Sequence, residues 1–247
     1  MKIALGVEYL GTHFHGWQIQ KSGIRTVQSV VETALSTVAN HPVRVYCSGR
    51  TDAGVHAKEQ VIHFETEAVR ESKAWLFGGN VNLPSDVNFT WVKKVGDDFH
   101  ARFNAYARAY EFKILNHPVR SALKADSHLW EPRPLDIEKM QEAAILLLGE
   151  HDFSCFRDSL CQAKSPIKTI EYLNITKHDG TVLLEVKANA FLHHMVRNIV
   201  GTLLKVGRGE RDISWVQDVL DSKDRRKAGP TAEPQGLYFV KAFYTDL

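Results

Sequence analysis

The sequence has only three cysteines, and their spacing marks neither a zinc site nor a disulfide framework. Cys47, Cys155 and Cys161 are few and odd in number, which favours a reduced protein of the cytoplasm. No apolar leader with a cleavage site opens the chain, so we expect no secretory signal. The longest apolar segment, residues 190–206, is interrupted by histidines, an arginine and an asparagine, which excludes a convincing membrane span.

The chain also lacks a strong charge of either sign. Its formal net charge is +2 over 247 residues, so nucleic-acid binding would require the positive charge to gather on one face. It has no Rossmann fingerprint, no P-loop and no H-E-x-x-H pair, and nothing in it predicts a nicotinamide, a flavin or a metal. The length of 247 residues is enough for one large domain or two moderate ones, and with 44% hydrophobic residues a substantial core can form.

In the first hundred residues, the predicted elements follow the order strand, helix, strand, strand, helix, strand. Lys2–Tyr9 alternates apolar with smaller or polar residues, which predicts a strand with one buried face. Thr26 is a good N-cap for a helix that runs to about Asn40 with one apolar stripe. A second helix is predicted over residues 67–77, ended by Gly78-Gly79. This order is typical of a split β-α-β unit, which builds an antiparallel sheet with helices on one face.

The second half offers helices and strands in a similar order. Asp136 can cap a helix that reaches about residue 148, and a hairpin is predicted around Asp179-Gly180. Further helices are predicted over residues 191–206 and 212–220, the last one capped by Asp212. The irregular, polar connection over residues 151–168 is a segment that either carries function or moves.

Between two strand-like runs lies the GRTDAGVHA loop, Gly49–Ala57. Its acid, Asp52, follows Arg50 by two residues, and an adjacent guanidinium favours the ionised form of a carboxylate. Glycine lets a backbone approach a ligand closely. The pattern therefore predicts an anionic, exposed carboxylate on a rigid turn. The alternative is that Thr51 and Asp52 merely form a turn, a common use of these residue types.

A second stretch, residues 99–109, interleaves basic and aromatic side chains. Cationic groups contact phosphates, and aromatic faces stack on unpaired bases. The alternative is a strand with solvated arginines along one side. Arg70, near the start of the second predicted helix, is either a solvated charge or a phosphate contact.

The GRTDAGVHA loop resembles the catalytic loop of the TruA family of tRNA pseudouridine synthases. Similar stretches cover nearly the whole chain; in order they are FHGWQIQ (14–20), TVQ (26–28), LPSD (83–86), FHARFNA (99–105), RAYEF (108–112), HDFSCF (151–156), NAFLHHMVRNIVG (189–201) and GLYF (236–239). One departure is visible: the family usually reads Tyr-Asp-Gly where this chain has Tyr9-Leu10-Gly11.

The resemblance implies an α+β fold in which two ferredoxin-like halves share one large antiparallel sheet, with helices on one face and a basic cleft. Residues 1–104 would form the N-terminal half with the catalytic loop, and residues 105–247 the C-terminal half. It also implies a homodimer in the cytoplasm, with no membrane association. The family reaction needs neither a cofactor nor a metal.

The implied reaction converts uridine to pseudouridine at positions 38, 39 and 40 of the anticodon arm of tRNA. Asp52 would attack C6 of uracil or C1′ of the ribose, or would act as a base in a glycal route; the sequence does not choose among these. Arg50 would hold Asp52 and help to keep the target base flipped. Tyr110 would pack on the flipped uracil, with a proton-transfer role also open. Arg197 would pair with Asp52, although a structural ion pair elsewhere is an equal alternative.

In addition to Tyr110, two segments and one further arginine are predicted to contact the RNA. They are Arg70; Phe99, His100, Ala101, Arg102 and Phe103; and Cys161, Gln162, Ala163 and Lys164. Two other classes of function compete. A non-catalytic RNA-binding module would not need an acid facing an anionic backbone, and a glycoside hydrolase usually needs two carboxylates where this chain offers one well-placed acid.

Overall fold

The computed structural model describes residues 1–21, 23–245 and 247. Its strands are β1 (Lys2–Tyr9), β2 (Tyr46–Cys47), β3 (His56–Glu65), β4 (Val87–Val95), β5 (Ala107–Asn116), β6 (Leu129–Glu131), β7 (Gly149–Asp152), β8 (Ile167–His178), β9 (Thr181–Ala188) and β10 (Leu237–Phe243). Its α-helices are α1 (Val27–Ala39), α2 (Gly79–Asn82), α3 (Ile137–Ile145), α4 (Met195–Gly207) and α5 (Ser214–Ser222). The chain divides into two compact units, residues 1–106 with 238–247 (unit 1) and residues 107–237 (unit 2).

Unit 1 is built on the strand order β4-β1-β3-β10, with the short β2 also paired to β3. The pairs of β1 with β3 and with β4 are antiparallel, whereas β10 runs parallel to β3. The prediction that β1 buries one face is wrong, since all its residues except Glu8 are buried. Because successive side chains of a strand point to opposite faces, this burial means that both faces of β1 are covered along most of its length.

Helix α1 begins and ends as its sequence predicts. The hydroxyl of Thr26 accepts a hydrogen bond from the Ser29 amide, which satisfies one of the free N–H groups of the first turn. The apolar stripe includes Val27, Val31 and Leu35, all fully buried. Asn40 adopts a left-handed conformation directly after the last turn and ends the helix.

The second predicted helix is misplaced. The helical segment is a π-helical turn over Ala74–Gly78 that continues into α2, so Gly78-Gly79 lie within it instead of ending it. Gly79 has helical dihedral angles, and a Cβ there would stand 2.5 Å from the ring of Phe89. Glycine is required here for close packing against β4, a role that looks the same as a helix stop in the sequence.

Unit 2 contains the antiparallel order β5-β9-β8-β7, with β6 parallel to β5. The Asp136 carboxylate caps α3 by accepting from the Lys139 amide, as predicted. Helix α3 packs closely on α4, because the Met140 side chain occupies the space beside Gly207 and the Asp136 amide donates to the Gly207 carbonyl.

Two predicted helix starts in unit 2 are wrong. Helix α4 begins at Met195 and not at residue 191, because His194 precedes it in a left-handed conformation with φ +60°. Helix α5 begins at Ser214, and its N-cap is Ile213 and not Asp212.

The predicted α+β class and the large sheet are confirmed. The ten strands of the described residues belong to one mostly antiparallel sheet, and the described residues also hold five α-helices. Within the same residues, no helix has the length and apolar character needed to cross a membrane.

Candidate active site

The GRTDAGVHA loop connects β2 to β3 in unit 1 and places Asp52 at a tight turn. Asp52 is half-buried and Arg50 is exposed. The amide of Val55 donates to the carbonyl of Asp52 at 3.2 Å, which closes the turn. Gly54 has φ +78°, a conformation that side chains with a Cβ rarely adopt. The carboxylate therefore projects from a backbone whose path is set by local hydrogen bonding.

The segment FHGWQIQ supports this loop through its backbone. Trp17 donates its amide to the carbonyl of Thr51 at 3.0 Å, and Gly54 donates to the carbonyl of Phe14 at 3.3 Å. A Cβ on Gly16 would stand 2.8 Å from the Thr51 oxygen, so the two backbones are in contact there. These bonds flank Asp52 on both sides and leave its position little freedom.

Buried side chains hold the two ends of the loop. The hydroxyl groups of Thr51 and Tyr9 are hydrogen-bonded at 2.8 Å in the interior. His56 accepts the Gly11 amide at Nδ1, at 3.0 Å, and its ring stacks on Tyr238 with centroids 4.6 Å apart. Because Nδ1 is an acceptor, a neutral His56 carries its proton on Nε2.

A bidentate ion pair stabilises the supporting segment. Both terminal nitrogens of Arg25 donate to the Asp86 carboxylate at 2.8 Å, and the Arg25 guanidinium lies 3.9 Å from the centre of the Phe14 ring. Hydrogen bonding to Arg25 lowers the pKa of Asp86 below its usual range. Sequence reasoning missed this pair. The resemblance included Asp86 within LPSD, but nothing linked that acid to a base 61 residues earlier.

Two arginines named in the sequence predictions, Arg50 and Arg102, act on the charge state of a thiol near the start of the loop. Burial raises the pKa of the Cys47 thiol to about 12, while the positive charges of Arg50 and Arg102 act in the opposite direction. The ring of Tyr46, which directly precedes Cys47, lies 5.7 Å from the ring of His100. The structure thus brings the strand that leads into the GRTDAGVHA loop close to the predicted RNA-contact segment 99–103.

That segment has buried and exposed members. Ala101 is fully buried; its amide donates to Nδ1 of His63 at 3.1 Å, and its carbonyl accepts the Tyr244 hydroxyl at 2.6 Å. Arg102 and Phe103 are exposed, whereas Phe99 and His100 are half-buried. Ala101 thus anchors the segment, and its neighbours form the surface.

Arg70 lies outside any helix and is exposed. Its guanidinium donates to the carbonyls of Val38 and Val69, at 3.3 and 3.0 Å. These contacts hold the side chain against the end of α1.

In unit 2, Tyr110 lies on β5 opposite Val186 of β9, and its half-buried ring makes an edge contact with Phe191 at 4.9 Å. Arg197 lies in the first turn of α4 and donates through Nε to the carbonyl of Ala232 at 2.8 Å. These contacts fix the direction of both side chains.

The predicted RNA-contact loop 161–164 is held by groups that sequence reasoning did not connect. Asp158 accepts from His194 at 2.8 Å and lies 3.5 Å from Nδ1 of His193. The His193 amide donates to the sulfur of Cys161, and Arg157 donates to the carbonyls of Cys161 and Ala163. Gln162 and Lys164 are exposed. The hydrogen bond from the Leu160 amide, the hydrogen bond from His194 and electrostatic attraction to both histidines lower the pKa of Asp158.

The chain is similar to a known protein family and to named proteins. A family model described as tRNA pseudouridine synthase matches residues 6–104 and 143–245. A protein of Alcanivorax borkumensis named tRNA pseudouridine synthase A is 53% identical over 246 residues, which are 100% of this chain and 92% of that protein. The protein of the same name from Pseudomonas aeruginosa is 51% identical over 243 residues, 98% of this chain and 85% of that protein.

Among solved structures, "Crystal Structure of a Cbf5-Nop10-Gar1 Complex" matches 98% of this chain and 50% of that chain, with a TM-score of 0.40 and 16% identity. The family model and the full-length relatives carry the assignment, because the two kinds of match cover the same motifs and most of the chain. The chain belongs to the tRNA pseudouridine synthase family and is an enzyme of the isomerase class.

Proposed function

We propose that this protein isomerises uridine to pseudouridine at positions 38, 39 and 40 of the anticodon arm of tRNA, with Asp52 as the catalytic carboxylate. Uridine isomerisation in tRNA is the reaction of its family. The observation that carries the assignment to Asp52 is its place in the loop. Backbone hydrogen bonds to Thr51 and Gly54 hold it from both sides, and Arg50 stands two residues away.

The reaction rearranges bonds within one nucleoside. The bond from N1 of uracil to C1′ of ribose breaks, and a bond from C5 to C1′ forms. The hydrogen on C5 leaves as a proton, and N1 gains one, so the reaction uses no oxidant or reductant. Asp52 acts as a nucleophile at C6 or C1′, or as the base that removes the C2′ proton in a glycal route.

The remaining catalytic residues act around this carboxylate. Arg50 holds Asp52 and helps to keep the target base out of its stack. Tyr110 packs on the flipped uracil, and Arg197 pairs with the Asp52 carboxylate. The motifs RAYEF and VRN, which the family resemblance includes, support these two roles. We further propose that residues 1–104 and 105–247 are ferredoxin-like halves and that the enzyme acts as a cytoplasmic homodimer.

The RNA is held by basic and aromatic groups outside the reacting centre. We assign this role to the segment 99–103, where Arg102 and Phe103 are exposed, and to the loop 161–164, where Gln162 and Lys164 are exposed. Arg70 adds a charge on the surface of unit 1. Several neighbouring target positions favour recognition by shape and backbone more than by base sequence.

The decisive experiment uses unmodified tRNA with tritium at C5 of uracil and measures tritium released to water. The wild-type enzyme releases it, because formation of the C5–C1′ bond expels this hydrogen. Asp52→Asn lowers release by on the order of 10³-fold or more while tRNA is still bound. Asp179→Asn is the matched control, since this exposed turn residue has φ +46°, a conformation that asparagine tolerates, and it retains full release.

Substrates with a single uridine at position 38, 39 or 40 test the site assignment. Release from each of them supports the proposed specificity. Retained release in a well-folded Asp52→Asn protein would exclude Asp52 as nucleophile or base. If the wild type bound tRNA but released no tritium, the protein would be an RNA-binding protein and not the proposed isomerase.

A further inference from the structure

Tyr46 occupies the short strand that leads into the catalytic loop. It is the cross-strand partner of His63, and the two rings stack with centroids 5.2 Å apart and planes 21° apart. His63 is 3% exposed, whereas Tyr46 is 52% exposed. The buried imidazole thus supports an aromatic ring that faces solvent, six residues before Asp52.

Two more rings extend this surface. The centroid of His100 lies 5.7 Å from that of Tyr46 and 4.2 Å from that of Phe103. Phe103 is 74% exposed, and the guanidinium of Arg102 lies 5.6 Å from the centre of its ring. Tyr46, His100 and Phe103 therefore form an exposed aromatic patch with a cation beside it.

Neutral histidines hold the patch in shape. His63 accepts the Ala101 amide at Nδ1, and His100 accepts the Arg102 amide at Nδ1, both at 3.1 Å. Burial lowers the pKa of His63 to about 4, and burial with nearby positive charge also lowers the pKa of His100. Both rings are uncharged at neutral pH and can keep these acceptor roles. The backbone that presents Phe103 is thereby tied to β3.

The chemistry of the patch fits an unpaired nucleobase. Aromatic faces stack on bases of any sequence, and an adjacent guanidinium suits the phosphate. Exposed aromatic side chains that contact each other form an apolar patch, and contiguous apolar patches on a protein surface often mark the site where a partner binds. Tyr46 lies in β2, which leads directly into the GRTDAGVHA loop, so the patch lies beside that loop.

We propose that Tyr46, His100 and Phe103 form a stacking site for an unpaired base of the substrate RNA other than the uridine being isomerised, with Arg102 on its phosphate. This inference rests on the proposed function. Tyr46 is new as a substrate-binding residue, and His63 and His100 are positioning residues beneath it. The site holds the RNA and takes no part in bond making, so it acts on affinity and not on the chemical step.

The test measures the dissociation constant for unmodified tRNA and the single-turnover rate at saturating enzyme. Tyr46→Ala and Phe103→Ala each weaken binding by about 5- to 150-fold, the range expected for one lost base stack, and leave the saturated rate within about twofold. Tyr46→Phe binds like the wild type because it keeps the ring. Phe77→Ala, an exposed phenylalanine of the same unit, is the control and binds like the wild type.

A fully paired RNA duplex is the control ligand that separates stacking from phosphate contact, since it offers no unpaired base. Tyr46→Ala binds this duplex as the wild type does, whereas Arg102→Ala weakens both RNAs because it acts on phosphate. Unchanged tRNA affinity in Tyr46→Ala and Phe103→Ala would overturn the stacking site. So would a loss of rate without a loss of affinity. Absence of tritium release by the wild type would instead refute the proposed function, independently of these affinities.

Discussion

The two units support their candidate functional segments in different ways. In unit 1, the loop that bears Asp52 is held by backbone hydrogen bonds and by the neutral pair of Tyr9 and Thr51. In unit 2, the loop 161–164 and the residues before α4 are held by ionisable groups, among them Asp158 with His194 and Arg157 with the carbonyls of Cys161 and Ala163. The groups that bond directly to the loop in unit 1 are uncharged, and its ion pair, Arg25 with Asp86, lies in the supporting segments, whereas charged groups bond directly to the loop in unit 2.

This difference has a physical consequence. The hydrogen bonds that set the backbone on either side of Asp52 join uncharged groups, so they do not depend on the protonation of a side chain. A segment held by a carboxylate and histidines keeps its shape only over a range of pH. We therefore expect the two supports to fail under different conditions and by different substitutions.

The largest expected effect is in unit 2, at Gly201 of α4. A Cβ there would stand 1.7 Å from the carbonyl oxygen of Pro230, a backbone atom that cannot rotate away. Gly201→Ala therefore separates α4 from the segment around Gly229 and lowers the free energy of unfolding by about 3 kcal/mol. Urea unfolding measures this loss.

The control for this substitution is Gly78→Ala, a helical glycine with only an ordinary contact to Val38 at 3.5 Å. Alanine there is neutral or slightly stabilising, because it has the higher helix propensity. Equal stability of the Gly201→Ala and Gly78→Ala proteins would mean that α4 and its neighbouring segment are not in contact as described.

The next effect is on activity, at Gly16. It has φ +86°, and a Cβ would stand 2.8 Å from the carbonyl oxygen of Thr51, so Gly16→Ala displaces the loop next to Asp52. A displacement near 1 Å costs about 100-fold in rate. Single-turnover tritium release measures it, with tRNA affinity as the second readout. A rate within a factor of two of the wild type would show that the loop does not depend on this contact.

The smallest effect concerns charge in unit 2. Asp158→Asn retains an acceptor for the Leu160 amide but loses the charge that faces His193, His194 and Arg225, so we expect a loss of about 1 kcal/mol in the free energy of unfolding.

The pH dependence of this loss has a definite sign. The folded pKa of Asp158 is below its unfolded value, so its stabilising contribution is complete above about pH 4, the usual pKa of an aspartate. The contribution disappears as the pH falls through the lower folded pKa. The difference between wild type and Asp158→Asn in urea therefore shrinks as the pH falls below about 4 and through the folded pKa of Asp158. A difference that kept its full size below that folded pKa would contradict the assignment.

Much of the fold follows from local signals. The Thr26 and Asp136 caps, the Asp179-Gly180 turn and the limits of β1 each depend on a few neighbouring residues, and each is found where the sequence predicts it. Where prediction failed, the structure depended on contacts between residues that are separated in the sequence. Gly79 serves the packing of Phe89, a contact that no pattern within the helix reveals.

The candidate site divides in the same way. Asp52 and Arg50 stand in one short motif, so sequence alone identifies the loop, its turn and its acid. The pairs that support it are separated by long stretches of chain: Arg25 from Asp86, Tyr9 from Thr51, and Tyr46 from His63. Composition and spacing determined which groups are present and which local turns they form. Only the tertiary structure decided which of them meet, because hydrogen bonds, ion pairs and ring contacts depend on distances that sheet pairing and core packing set.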